Sequence, residues 1–420
     1  MNQLHLFLPC AAGVEDLLEA EVRRICSGHT DKMRGGVRVT GSWRDAMLLN
    51  LHSRLAQRVL VQLAFEPYRS ENDLYNAASA VAWEIWFTPK QSIKVEITAQ
   101  HSPLTSLNFA ALKIKDAVCD RFRAKAGGIR PDVNTTWPDV RIYAHLTTDT
   151  VSLYIDTSGE PLFKRGWRED KGEAPLKETL AAAMLAASGY DGSVPLYDPC
   201  CGSGTIAIEA AQIACNIAPG IARRFAFEKF LPFQAHVWSS LLDAANTAVH
   251  DPVAPIFGSD VAFRMVDFAQ RNAERAGVDE VVQLRGGDAL QRMPPAESGV
   301  MLVNPPYGER IDVAGVAGTG QGRGGPRYVD PTAPRGQGRE SAQVDGSGDA
   351  DDTFFPQLAT HWKKNYAGWT AWVLTPDLKL PSRMRLKESR RVPLWNGPIE
   401  CRLFRFDMVA GSARAKPVEA

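Results

Sequence analysis

Leu196-Tyr197-Asp198-Pro199-Cys200-Cys201-Gly202-Ser203-Gly204-Thr205, running into Ile206-Ala207-Ile208-Glu209-Ala210-Ala211, decides the fold of this chain. A short apolar run, two glycines one residue apart and an apolar helix-forming stretch predict strand, tight turn and helix. Gly202 and Gly204 let the backbone come close to a ligand, and the helix behind them offers free N–H groups. Two phosphate-binding loops fail on the residues that follow. A P-loop needs Lys-Ser or Lys-Thr after its last glycine, whereas Gly204 is followed by Thr205-Ile206. A dinucleotide fingerprint needs a third glycine where Ala207 stands.

Three further strand ends lie downstream. Ile256-Phe257-Gly258-Ser259-Asp260 is an apolar run closed by a carboxylate, with an amphipathic helix expected from Ala262 to Ala276. Val281 to Asp288 repeats the pattern. Open parallel sheets bind ligands at the carboxyl ends of their strands, so one ligand can touch Asp198, Asp260 and Asp288 together. Each of these carboxylates also reads as the N-cap of a following helix. The fourth strand, Val300-Met301-Leu302-Val303, ends in Asn304-Pro305-Pro306-Tyr307. On its own that tetrapeptide is a Pro-Pro turn after a buried strand. It also solves a chemical problem, because an exocyclic amine on a planar ring is a poor nucleophile whose lone pair is delocalised. The Asn304 side chain and the Pro305 backbone put two carbonyl acceptors at adjacent positions for its N–H groups. Proline adds no competing N–H, and Tyr307 offers an aromatic face on which a flat base can stack.

Over these residues the chain from about Pro175 onward resembles the Asn-Pro-Pro-Tyr branch of class I RNA methyltransferases. The whole chain is similar to the THUMP-domain family that makes N2-methylguanosine in 23S rRNA, in a form with one methyltransferase domain. Further matching strings are Lys164 to Arg168, Pro175 to Leu180 and Asn396 to Arg402. The resemblance implies an α/β class I (Rossmann-like) domain with a seven-stranded, mostly parallel sheet, preceded by a ferredoxin-like and THUMP α+β RNA-binding region. It implies boundaries at 1–44, 45–158 and 159–420. It also implies S-adenosylmethionine as cofactor, held by Asp198, Pro199, Cys201, Gly202, Gly204 and Thr205, with Asp260 on the ribose, Asp288 on the adenine and Asn304 beside the methyl donor. Asn304, Pro305, Pro306 and Tyr307 would hold the target base. Two stretches depart from the pattern. Residues 312–352, rich in Gly, Pro, Arg and Asp, are expected to be a disordered insertion. The segment from Ile213 to Val253, with Phe225, Phe227, Phe230, Phe233 and Trp238, matches an aromatic insertion of the family.

Bulk properties agree. The 420 residues give room for two or three domains, and 45% hydrophobic with 23% charged residues is ordinary for a soluble globular chain. Lys plus Arg number 48 and Asp plus Glu number 48, so any RNA-binding face is a local patch. Lys113, Lys115, Arg121, Arg123 and Lys125 cluster on a helix expected over Leu107 to Lys125, and Lys164, Arg165 and Arg168 lie at a domain junction; these are the candidate phosphate contacts. Trp167 reads as a buried hinge contact. Seven cysteines show no CxxC pair or Cys/His cluster, so no metal is expected. The N-terminus lacks a basic stretch followed by an apolar run, and no stretch reaches membrane-spanning length, giving the expectation of a cytoplasmic protein. A monomer is expected, and the resemblance implies 23S rRNA, in an assembling large-subunit particle, as its partner. Asn396-Gly397, between Val392 to Trp395 and Ile399 to Phe406, predicts a β-hairpin.

Overall fold

The computed structural model describes residues 3–172, 175–305 and 348–409. Pro306, Tyr307 and residues 312–347 therefore lie outside the described residues. The last five residues of the expected insertion, 348–352, belong to a helix, which corrects the boundary of that expectation.

Residues 4–156 build one seven-stranded sheet from β1 (Leu4–Pro9), α1 (Glu15–Ile25), β2 (His29–Met33), β3 (Gly36–Gly41), α2 (Trp43–His52), β4 (Leu60–Pro67), α3 (Glu71–Ala80), β5 (Ile93–Ala99), α4 (Leu107–Lys125), β6 (Val140–Leu146) and β7 (Thr150–Asp156). The strand order is β2-β3-β1-β4-β7-β6-β5. Local chemistry starts the helices: Ser42 with Asp45 and Ser70 with Asp73 form capping boxes at the N-termini of α2 and α3. Helix α3 stops at Ala80, and a 3-10 turn follows at Trp83–Ile85.

The second sheet contains α5 (Glu178–Ser188), β8 (Leu196–Asp198), α6 (Thr205–Ala214), α7 (Ala235–Thr247), β9 (Ile256–Asp260), α8 (Phe263–Arg275), β10 (Val282–Gly286), β11 (Gly299–Val303), α9 (Gly348–Asn365), β12 (Trp369–Thr375), α10 (Leu380–Met384), β13 (Arg390–Asn396) and β14 (Ile399–Asp407). Its order is β10-β9-β8-β11-β12-β14-β13, with β8 to β12 mutually parallel and the last two strands antiparallel. Each strand feeds both faces. Leu302 joins one core while Met301 and Val303 join the other, as a two-residue period demands. Helix α5 is apolar nearly all round, and it is buried nearly all round.

The two sheets share a continuous hydrophobic core. Their junction is also polar. The Arg165 guanidinium pairs with Glu209 of α6 at 3.0 Å, and its Nη2 donates to the Arg54 carbonyl at 2.7 Å. Arg54 reaches Glu209 as well, at 3.4 Å. The side chain of Glu209 is fully buried and that of Arg165 is 1% exposed.

Candidate active site

The parallel register places the ends of β8, β9, β10 and β11 on one edge: Leu196 pairs with Ile256 and Val300, and Asp260 with Gly286. A cavity of about 340 Å³ opens there, and its lining includes Asp198, Gly202, Asp260, Asp288, Asn304 and Pro305. Pro199, Cys201 and Thr205 line it too, so the described part of the expected site is assembled from four separate strand ends. Gly204 also sits in the loop at a φ of +87°, where a Cβ would lie 3.0 Å from the Ala269 side chain. Gly202, at φ +52°, is tied across the edge, since its N–H donates to Asp260 Oδ2 at 2.9 Å. Asp260 Oδ1 accepts from Ala262 N at 2.9 Å, so the carboxylate caps the turn into α8 and faces the cavity at once. Asp288 likewise accepts from Leu290 N at 2.9 Å.

The cavity holds three carboxylates, and no Lys, Arg or His is among its described lining. Burial pushes the Asp198 carboxyl up to about 8, with the nearby Asp260 carboxylate adding to the effect. Burial raises Asp260 as well. Such a site is short of positive charge, and it fits a cationic ligand far better than a phosphate-bearing one. A stability consequence follows. A carboxyl raised in the folded state binds its proton more tightly than in the unfolded chain, so its contribution is present at low pH and is lost as pH rises toward 8. Asp198→Asn should therefore be more stable than the parent at pH 8, and the gap should close toward pH 5. Melting temperatures of the two ligand-free proteins across that range check it; parallel curves would show Asp198 to be charged throughout.

Asn304 supplies the second signal. Its carboxamide oxygen is buried and has no hydrogen-bond partner among the described residues. Leaving such an acceptor unpaired costs about 1–3 kcal/mol, so it is the natural seat for a donor brought in by a ligand.

The junction residues come out differently from expectation. Arg165 cannot contact RNA, because it is locked in the ion pair with Glu209. Arg168 is turned inward too: its Nη2 donates to the Leu176 carbonyl at 2.8 Å and to the Thr205 hydroxyl at 2.7 Å, bracing two walls of the cavity, and it pairs with Glu178. Trp167 is buried. Lys164 is exposed but paired with Glu160. On α4, Arg121 forms a bidentate pair with Glu84, Arg123 bonds Asp120 at 2.7 Å, and Lys115 bonds Asp116 at 2.5 Å. Lys113 lies 5.5 Å from the Phe109 ring centroid, and Lys125 is exposed. Sequence reading missed Phe354, which completes the cavity wall from α9, and Glu209, whose signal was a lone carboxylate inside an apolar helix. Among the described residues no group of His, Cys, Asp and Glu is placed to hold a metal ion, and no helix is long and apolar enough to cross a membrane.

Three family models match in series: an RlmL ferredoxin-like domain over residues 5–60, a THUMP domain over 68–156 and an RMKL-like methyltransferase domain over 165–318. The chain joins a THUMP domain to an RMKL-like methyltransferase domain. The methyltransferase domain holds the cavity, and its fold is that of class I methyltransferases. Among similar proteins, the ribosomal RNA large subunit methyltransferase K/L of Psychromonas ingrahamii is 35% identical over 405 residues, 95% of this chain and 49% of the relative. That of Shewanella loihica is 35% identical over 417 residues, 98% of this chain and 54% of the relative. The chain thus spans about half the length of these relatives. The methyltransferase SMU.472, solved with SAH, is 26% identical with a TM-score of 0.81, covering 99% of this chain and 100% of its own. A Listeria monocytogenes protein named as an N6-adenine-specific DNA methylase is 26% identical with a TM-score of 0.80, covering 97% of this chain and 96% of its own.

Proposed function

We propose that this chain transfers the methyl group of S-adenosylmethionine to the exocyclic N2 of a guanine in 23S rRNA. The observation that carries the reading is that Asn304, whose buried side-chain oxygen has no partner among the described residues, lines the same cavity as three carboxylates. The donor fits that cavity, since its ammonium and sulfonium charges meet acidic and not basic side chains. When bound, it supplies an already activated methyl group. The protein therefore contributes mainly alignment, which is worth roughly 7–11 kcal/mol in well-oriented reactions, and the site needs no strong base. Asp198 pairs with the ammonium, Asp260 accepts from the ribose and Asp288 from the adenine amine. Asn304 Oδ1 and the Pro305 carbonyl accept the two N–H groups of the target amine and turn its lone pair toward the methyl carbon. The amine proton then leaves to water or through the Asn304 carbonyl. The target base has to be unpaired or flipped to enter.

An amine acceptor pair of this kind also suits adenine N6, so the name of the Listeria protein states a real rival. The THUMP domain and the names of the curated relatives favour RNA. The deciding experiment incubates the protein with tritiated S-adenosylmethionine and total RNA from a strain lacking it, then separates rRNA from tRNA and digests to nucleosides. Label in N2-methylguanosine of 23S rRNA is expected. Label in tRNA, or in N6-methyladenosine, would replace the proposal. For the cofactor contacts, Asp260→Ala should weaken S-adenosylmethionine binding about tenfold to a hundredfold, the loss of a charge-assisted hydrogen bond plus a loosened Gly202 turn. Calorimetry showing an unchanged dissociation constant would remove Asp260 from the ribose role.

A further inference from the structure

A second cavity, of about 160 Å³, lies where the N-terminal sheet meets the methyltransferase domain. Three segments contribute polar groups to it: Gln57 after α2, Lys177 and Thr179 at the start of α5, and Trp395 with Asn396 at the β13–β14 turn. Register fixes where this cavity lies. Val303 of β11 pairs with Val373 of β12, Thr375 of β12 pairs with Arg402 of β14, and Asn396 pairs with Ile399. The hairpin turn therefore projects past the carboxyl ends of the parallel strands, on the edge where Asn304 sits and on the far side of Asn304 from β8 to β10. The segment 175–180 contributes to both cavities: Pro175 and Leu176 line the first, and Lys177, Thr179 and Leu180 line the second.

Their charges are opposite. The first cavity is lined by three carboxylates and no cation; the second has one lysine and no carboxylate in its described lining. Lys177 is exposed, lies 5.2 Å from the Phe163 ring centroid and has no carboxylate partner among the described residues. Most basic side chains of the α4 cluster, by contrast, are neutralised by an acidic neighbour. An amide, a hydroxyl and an indole beside an ammonium that has no carboxylate partner among the described residues make a donor-rich surface that suits phosphate and ribose oxygens.

We propose that this junction cavity is a subsite for the RNA backbone flanking the target nucleotide, with Lys177 on a phosphate and Gln57, Thr179 and Asn396 on the adjoining sugar-phosphate. The inference rests on the reading of the chain as an RNA methyltransferase. It gives the junction a task. A base directed to Asn304 has flanking nucleotides gripped two strands away in the sheet by residues drawn from both halves of the molecule, so the N-terminal sheet sets the strand's register over the methyl donor. Phosphate contacts of this kind position a strand without reading its sequence.

The test measures equilibrium binding of the full chain to deproteinised large-subunit rRNA from a strain lacking the protein, across a salt series, for the parent, Lys177→Gln and Gln57→Ala/Asn396→Ala. Lys177→Gln should weaken binding about tenfold, as expected for one lost charged contact. The slope of log K against log salt should become shallower by about 0.7, one phosphate on a single strand. Gln57→Ala/Asn396→Ala should weaken binding with the slope unchanged, because no charge is lost. S-adenosylmethionine affinity should match the parent in both, and melting temperature should match it in Lys177→Gln. Equal RNA affinity and equal slope in all three proteins would overturn the proposal, leaving the cavity as imperfect packing between two sheets. Failure of the underlying reading looks different: the parent would bind this RNA yet transfer no methyl group to it.

Discussion

Asn304→Ala should lower the rate of methyl transfer by about 10²–10³-fold, the scale of losing one preorganised polar contact to a reacting group. S-adenosylmethionine affinity should stay within about threefold of the parent, because the residue acts on the reacting amine and not on the cofactor's binding contacts. The expectation comes from an orphaned acceptor. The Asn304 oxygen is buried without a partner among the described residues, at a cost that folding alone gives no reason to keep. Asn304→Asp keeps acceptor oxygens at the same reach and should retain more activity than alanine. Single-turnover rates with saturating RNA, alongside calorimetric cofactor binding, separate the roles. If Asn304→Ala loses cofactor affinity and melting temperature together with activity, the side chain holds the turn after β11 and does not orient a substrate.

How much of this was readable beforehand depends on how local the cause is. Helix α4 matches its sequence-derived limits to the residue, and the Ser106 side chain caps its start. Strand β2 left no trace in the reading. His29-Thr30-Asp31-Lys32-Met33 buries only Thr30, so nothing alternates, and its strand character comes from pairing with β3. The cavity's carboxylates were legible because each ends an apolar run, and the Asn396-Gly397 turn because its chemistry dictates a hairpin. Arg165 and Arg168 were misread for a nonlocal reason. Three cations within five residues look like a solvated surface, and only tertiary structure brings Glu209, 44 residues later, against Arg165. Phe354 was invisible for the same reason: its contact depends on where α9 docks.

That nonlocal ion pair yields the second large expectation. Glu209→Ala should destabilise the protein by about 3–5 kcal/mol, because it strands the Arg165 guanidinium in a site 1% open to water and removes a partner of Arg54. A surface pair would be worth at most about 1 kcal/mol, so the magnitude itself tests the burial. Replacing both partners separates charge from packing. Arg165→Met with Glu209→Leu should lose clearly less than Glu209→Ala alone, since no charge is left unpaired, although the bond from Arg165 to the Arg54 carbonyl goes with it. Urea unfolding of the three proteins measures each loss. The position also predicts a functional echo. Glu209 lies on α6, whose first residue, Thr205, lines the cofactor cavity and is braced by Arg168. The double variant should therefore bind S-adenosylmethionine nearly as well as the parent, provided α6 keeps its register, while the junction between the two sheets loosens. A loss below 1 kcal/mol for Glu209→Ala would mean that water reaches Arg165 in solution, and the junction would then be a hinge and not a fixed seam.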